Sequence, residues 1–273
     1  MDGALVTVLK RDRLAVGAAL GIIAALAWGY VLWLARGPAM PDMGGMADMP
    51  GMDMSGMNMA MMAPAFTPWT VSHAAFMFSM WAVMMIGMMT PTVAPMILIY
   101  ARVARQAEAG GTPFAAAGWF ATGYLLCWTL FAALATGAQY GLERLALLSP
   151  AMVSSSKYFG AGVLFAAGLY QFTPFKESCL AWCRAPLSFI QRRGGFRPGT
   201  WASLRLGFLH GLYCVGCCWA LMALLFVGGV MNILWIAAIM IYVLAEKLIP
   251  HGAMVSRLAG LAAIGAGFWT VLH

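Results

Sequence analysis

The stretch His210 to Trp219 reads HGLYCVGCCW and lies inside an apolar run, Leu204 to Gly229, that is long enough to cross a bilayer. A helix turns about 100° per residue. On that pitch His210, Cys214, Cys217 and Cys218 share an arc of roughly 100°, so one imidazole and three thiols face the same way. Thiol and imidazole are ligands for soft and borderline metals such as Cu(I) and Zn. Two other uses of the same residues stand beside that one. Cysteine packs as a small apolar residue between helices. Cys214 and Cys217 also form a C-x-x-C pair that could run thiol–disulfide chemistry.

A second soft-donor feature precedes the core. The segment 37–68 holds ten methionines between Met40 and Met62, mostly as M-x-M or M-x-x-M, spaced by Gly, Pro and Asp. Such a composition cannot bury a core and reads as a flexible loop. Thioethers select Cu(I), and Ag(I) by the same logic. Met43, Met46, Met49, Met52, Met54, Met57 and Met59 are its candidate ligands, and Asp42, Asp48 and Asp53 could assist Cu(II) capture or keep the loop soluble.

The following apolar run, Ala74 to Tyr100, carries more methionines. Met77, Met80, Met84 and Met88 share one helical face, and Met85 and Met89 stand on the next stripe. A Met stripe is flexible packing or a ligand ladder. Directly after the Met-rich loop, the ladder is the preferred reading. Pro91 and Pro95 should break or kink this helix, with Thr90 and Thr92 placed to satisfy freed backbone groups. Cys179 and Cys183, at i and i+4, could share a metal near the cytoplasmic surface. Cys127 reads as packing.

These residues must be positioned by a membrane bundle. The 273-residue chain is 63% hydrophobic and 9% charged, against about 25% charged in soluble domains. Seven apolar runs fit spans: 14–34, 74–100, 114–137, 158–175, 204–229, 233–249 and 258–272. The first follows Lys10, Arg11 and Arg13. Its length exceeds the 7–15 residues of a signal-peptide core, so a retained span is expected rather than cleavage near Ala35. Glu143 and Arg144 fall in an outer stretch, 138–156, suited to a short interfacial helix. Glu246 is expected to pair with Lys247, which snorkels.

With the N-terminus cytoplasmic, the inner segments hold three, two, six and two Lys or Arg in order, and the outer segments only Arg36, Arg144 and Lys157. The positive-inside rule supports that orientation. It accounts for the net charge of +7 without nucleic acid. It also puts the Met-rich loop outside and Cys179 and Cys183 inside.

The strings MWAVMMIGMMTPTVAPM, YQFTPFKESCLAWCRAP, HGLYCVGCCWALM and GVMNILWIAAIMIYVLAEK recur in that order. Together they resemble a bacterial family of predicted metal-binding integral membrane proteins, a domain of unknown function. The likeness runs from about Ala74 to the C-terminus and implies metal handling.

The expected architecture is all-α, a polytopic bundle of about seven transmembrane helices in a bacterial cytoplasmic membrane. Its parts are an N-terminal helix (1–36), the Met-rich external loop (37–68) and a six-helix core (69–273). The expected function is Cu(I) acquisition, transfer or transport, or delivery to a membrane cuproenzyme or soluble copper carrier. No phosphate-binding loop is present, and no catalytic residue is assigned. The alternatives are a membrane thiol–disulfide relay through the C-x-x-C pair, or a non-catalytic assembly factor of a membrane complex.

Overall fold

The computed structural model describes residues 3–36, 69–109, 117–149, 152–192, 199–249 and 252–273. Among them the chain is helical, apart from connecting turns and one isolated bridge between Leu148 and Ser154. Ten helices follow in order: α1 (Gly3–Arg36), α2 (Val71–Ala109), α3 (Ala117–Arg144), α4 (Lys157–Tyr170), α5 (Pro174–Arg184), α6 (Pro186–Arg192), α7 (Thr200–Ala223), α8 (Leu225–Gly228), α9 (Ile233–Leu248) and α10 (Gly252–Leu272).

Each expected apolar run meets a helix, with 158–175 divided between α4 and α5 and 204–229 between α7 and α8. Five stretches are long and apolar enough to cross a membrane: Leu14–Ala35, Val71–Arg105, Ala117–Arg144, Thr200–Gly228 and Gly252–Leu272. The remaining two runs lie on α4 and α9, of 14 and 16 residues. At about 1.5 Å per residue these reach only about 21 and 24 Å, short of the ~30 Å hydrocarbon core. Local chemistry sets those lengths. After α4 the chain makes a tight turn, and Thr173 caps α5 by accepting from Lys176 N, with Pro174 at the first helical position. Pro174 therefore starts a helix as much as it ends one. Asn232 caps α9 by accepting from Trp235 N.

Two expectations need correction. Pro91 and Pro95 do not break α2, which runs continuously through both. Thr90 and Thr92 hydroxyls donate to Ile86 O and Met89 O along it. The stretch 138–156 holds no interfacial helix among its described residues, because α3 continues to Arg144. That extension is held by polar bonds to α2 and the residues before it: Trp81 Nε1 donates to Gln139 Oε1 (2.7 Å) and Trp69 Nε1 to Glu143 Oε2 (2.8 Å).

The closest helix approach is between α3 and α7, which run parallel. A β-carbon built on Gly207 would lie 2.0 Å from Phe120 O, and one on Gly123 would lie 2.0 Å from Leu204 O. Gly207 and Gly211 form a GxxxG pair, the spacing that lets membrane helices touch backbone to backbone. The approach buries the stripe Phe120, Tyr124, Cys127, Trp128, Ala132 and Ala135 of α3. It also turns the cysteine face of α7 inward. On the far side α4 meets α10 through Gly168 and Gly260.

Gly207→Val should be among the most damaging single changes in the bundle, because backbone atoms cannot yield as a side-chain tip can. We expect a loss of more than about 3 kcal/mol, above ordinary core overpacking. Thermal unfolding in detergent should show it, with Gly162→Val, in open space, close to wild type as the control.

Candidate metal centre

Cys214, Cys217 and Cys218 are buried on α7, and their sulfurs all lie within 4.8 Å of one another. The helix itself creates the group, since residues three and four apart stack on one face. The Cys217 and Cys218 thiols each donate to Cys214 O at 3.0 Å, which holds both rotamers toward Cys214. A metal–thiolate bond of about 2.3 Å in a three-sulfur plane separates the sulfurs by about 4.0 Å. The group therefore fits one soft ion with little movement, and thiolate sulfur is the donor that Cu(I) prefers.

A fourth thiol joins from α5. The Cys183 side chain lies beside those of Cys214 and Cys217, outside the three-sulfur group itself. Cys179, one turn earlier, packs against α7 instead: its Sγ lies 2.8 Å from where a β-carbon on Gly216 would be. Cys127 occupies the matching place on the α3 side, against Gly211. All six cysteines thus gather on or against α7, and all are free thiols. The i, i+4 pair of α5 flanks the α7 helix, Cys179 beside Gly216 and Cys183 beside two of the sulfurs.

Cys214 has further partners. Tyr124 OH lies 3.1 Å from its sulfur and Lys247 Nζ 2.9 Å from it. The same ammonium donates to Thr92 Oγ1 at 3.2 Å. Helices α2, α3, α7 and α9 therefore converge on one sulfur. Lys247 was expected to snorkel with Glu246 as its partner, and the structure reverses this. Glu246 is 1% exposed and accepts from Lys176 (2.7 and 2.9 Å), from Ser256 (2.6 Å) and from Tyr242. Two consecutive helix positions point about 100° apart. On α9 one of them enters the α5/α10 interface and the other the thiol cluster. Lys176, expected in a basic loop, is itself 1% exposed. The only sequence hint of Lys247's role was an ionisable residue at the end of a very apolar helix.

His210 is placed differently from its cysteine neighbours. Its ring stands among Phe189, Phe120 and Tyr124, with centroids 5.2, 5.9 and 5.9 Å away. Its buried Nδ1 has no hydrogen-bond partner. The three-sulfur group does not include it, though it lies one turn from Cys214 with a ring nitrogen to offer.

The methionines of α2 form the adjoining wall. Met77, Met80, Met84, Met85, Met88 and Met89 are all buried in the core. Met89 is the link to the thiols, because Thr92 and Tyr124 both donate to its carbonyl and both contact the Lys247–Cys214 group. Met43, Met46, Met49, Met52, Met54, Met57 and Met59 lie outside the described residues.

The sequence model of the PpoB2 family, described as a copper chaperone, matches residues 78–270. The matched region takes in all six cysteines, His210, Lys247 and the methionine wall from Met80 onward, and leaves out the Met-rich segment. No curated protein and no solved structure matches the chain.

Lys247 brings one positive charge to a group that becomes anionic when thiolates hold Cu(I). In a low-dielectric interior an unbalanced charge is costly. Lys247→Met should therefore weaken Cu(I) binding about tenfold or more, the worth of a charged hydrogen bond. Lys247→Arg should recover part of the loss. Competition with a chromophoric Cu(I) chelator measures both.

Proposed function

The chain belongs to the PpoB2 family of copper chaperones, and from that premise we propose that it carries Cu(I) within a bacterial cytoplasmic membrane, receiving it from the Met-rich external side and delivering it onward. The observation that carries this reading is the buried group of three sulfurs, with Cys183 and Lys247 against it. A purely structural cysteine has no need of an ammonium at 2.9 Å, and a two-cysteine relay has no need of a third and fourth thiol.

The order of donors gives direction. Thioethers in 37–68 and on α2 bind Cu(I) weakly and exchange it readily. Thiolates bind it more tightly, so copper moving from the methionines to Cys214, Cys217 and Cys218 goes downhill. Each thiol that becomes a ligand gives up its proton, so binding at the cluster strengthens as pH rises. Cys183 comes from a different helix than Cys214, Cys217 and Cys218, so a small shift of the last turn of α5 changes the ligand number without unfolding α7. That is a release step by ligand exchange, and the recipient is a membrane cuproenzyme or a soluble copper carrier. The orientation used here, N-terminus and α5 cytoplasmic, rests on the Lys and Arg distribution. α4 and α9 complete a seven-helix bundle as its two short members. The chain acts as a carrier and not as an enzyme.

The competing reading is a thiol–disulfide relay through Cys214 and Cys217. One preparation separates the two, with bound copper and trapped thiol state measured together. As a metal centre, wild type holds Cu(I), Cys214→Ser and Cys217→Ser each lose it, and Cys218→Ser binds at least tenfold more weakly. If Cys218→Ser keeps wild-type copper while a Cys214–Cys217 disulfide accumulates during turnover, the relay replaces the chaperone reading for this site.

A further inference from the structure

At the end of the bundle where α2 begins, Gln139 and Glu143 of α3 and Met77 of α2 stand in a row. Gln139 is fully buried, and its amide nitrogen donates in two directions: to Glu143 Oε1 at 2.8 Å and to Met77 Sδ at 3.6 Å. On its other side the amide oxygen accepts from Trp81 Nε1 at 2.7 Å. Trp69 Nε1 holds the other carboxylate oxygen at 2.8 Å. Trp69 in turn makes edge contacts with His73 and Tyr140. Glu143 is only part-buried, whereas Met77 is 5% exposed and begins the methionine wall.

The arrangement has the chemistry of a soft-cation site with an amide standing in for the ion. The NH2 of glutamine is the positive end of the amide dipole. Here it lies between a thioether, the donor for Cu(I) or Ag(I), and a carboxylate that can neutralise one positive charge. A monovalent cation needs that neutralisation before it enters a low-dielectric bundle. In sequence, the Met-rich segment 37–68 directly precedes Trp69.

We propose that Glu143 and Met77 form an outer site for Cu(I) or Ag(I), and that Gln139 is its gate, occupying the ion's place until the ion displaces it. Rotation of the Gln139 side chain frees the sulfur and one carboxylate oxygen together. Glu143 keeps its bond from Trp69 and exchanges an amide for a cation. The ion then stands at the head of the Met80, Met84 and Met88 face, which leads toward Met89 and the thiols. This site deepens the chaperone reading by naming where the metal enters the bundle, and it is tested separately from the thiol cluster.

The test uses the full chain with Cys183, Cys214, Cys217 and Cys218 replaced by Ser, titrated with Ag(I), and counts ions per chain by native mass spectrometry. The Met-rich segment contributes equally in every variant. Met77→Leu and Glu143→Gln should each hold one silver fewer than the parent. Gln139→Ala should keep that silver and bind it about tenfold more tightly, because no amide competes for the carboxylate. Circular dichroism and gel-filtration profiles of every variant should match the parent's, which shows that the bundle is intact. An equal silver count in parent, Met77→Leu and Glu143→Gln overturns the outer site. Loss of the ion in Gln139→Ala overturns the gate, since Gln139 would then be a ligand or a scaffold. A thiol cluster that binds no copper even in wild type fails the chaperone reading and leaves the silver result to stand or fall alone.

Discussion

Backbone contact between α3 and α7 is the constraint on which the rest of this bundle depends. Nothing in a membrane drives helices together by hiding apolar surface from water, so close packing has to do it. Gly207 and Gly123 let carbonyl and α-carbon meet where any side chain would collide. That contact fixes the rotation of α7, and the rotation decides what faces inward. Cys214, Cys217 and Cys218 are 0%, 1% and 0% exposed because the opposite rotation is sterically closed. Gly211 and Gly216 do a second job on the same helix, leaving the space into which Cys127 and Cys179 fit.

Much of this was legible in the sequence. The apolar runs located every long helix, and the 3.6-residue period placed the α7 cysteines on one face. The methionine face of α2 was likewise readable, since helical spacing and burial agree there. What was not legible shares one physical cause: periodicity says which residues of one helix look the same way, but not what looks back. Cys183 and Cys179 share a face of α5, yet the first meets two sulfurs and the second a glycine. Glu246 and Lys247 are adjacent charges, so pairing them seemed the economical choice. Their actual partners lie 70 and 33 residues away. The continuity of α2 through two prolines belongs to the same class, because in a bundle a proline is judged by what packs around it.

The two charged side chains on the last turns of α9, Glu246 buried and Lys247 half-buried, bear on mechanism as well as on stability. Lys176 and Glu246 neutralise each other at 2.7 Å, and Tyr242 and Ser256 fill the remaining carboxylate valence. A pair satisfied so completely binds α5, α9 and α10 together and has nothing left to offer a ligand. Lys247 is the opposite case. Its partner is a sulfur that a soft metal would also claim, so its charge is available to whichever anionic group forms there. Since both residues sit on one helical turn, the fixed pair sets where the available one can reach. The rigidity of the Lys176–Glu246 tie therefore helps to define the charge that the thiol cluster sees.

That division fits a carrier better than a permanent store. A store gains by surrounding its metal with as many rigid thiolates as the fold allows. Here three sulfurs sit on one rigid helix, and the fourth, Cys183, comes from an 11-residue helix that begins at a capped break and ends at Ala185. That helix is tied near its start by Lys176, and Cys183 stands two turns further on, next to the break at Ala185. The same contrast recurs at the other end of the bundle. There the buried methionine wall begins beside the Gln139 amide, while the backbone beneath it is continuous helix. At both ends the candidate ligands sit on continuous helix, and a neighbouring group reaches them through a single side chain, Cys183 at one end and Gln139 at the other.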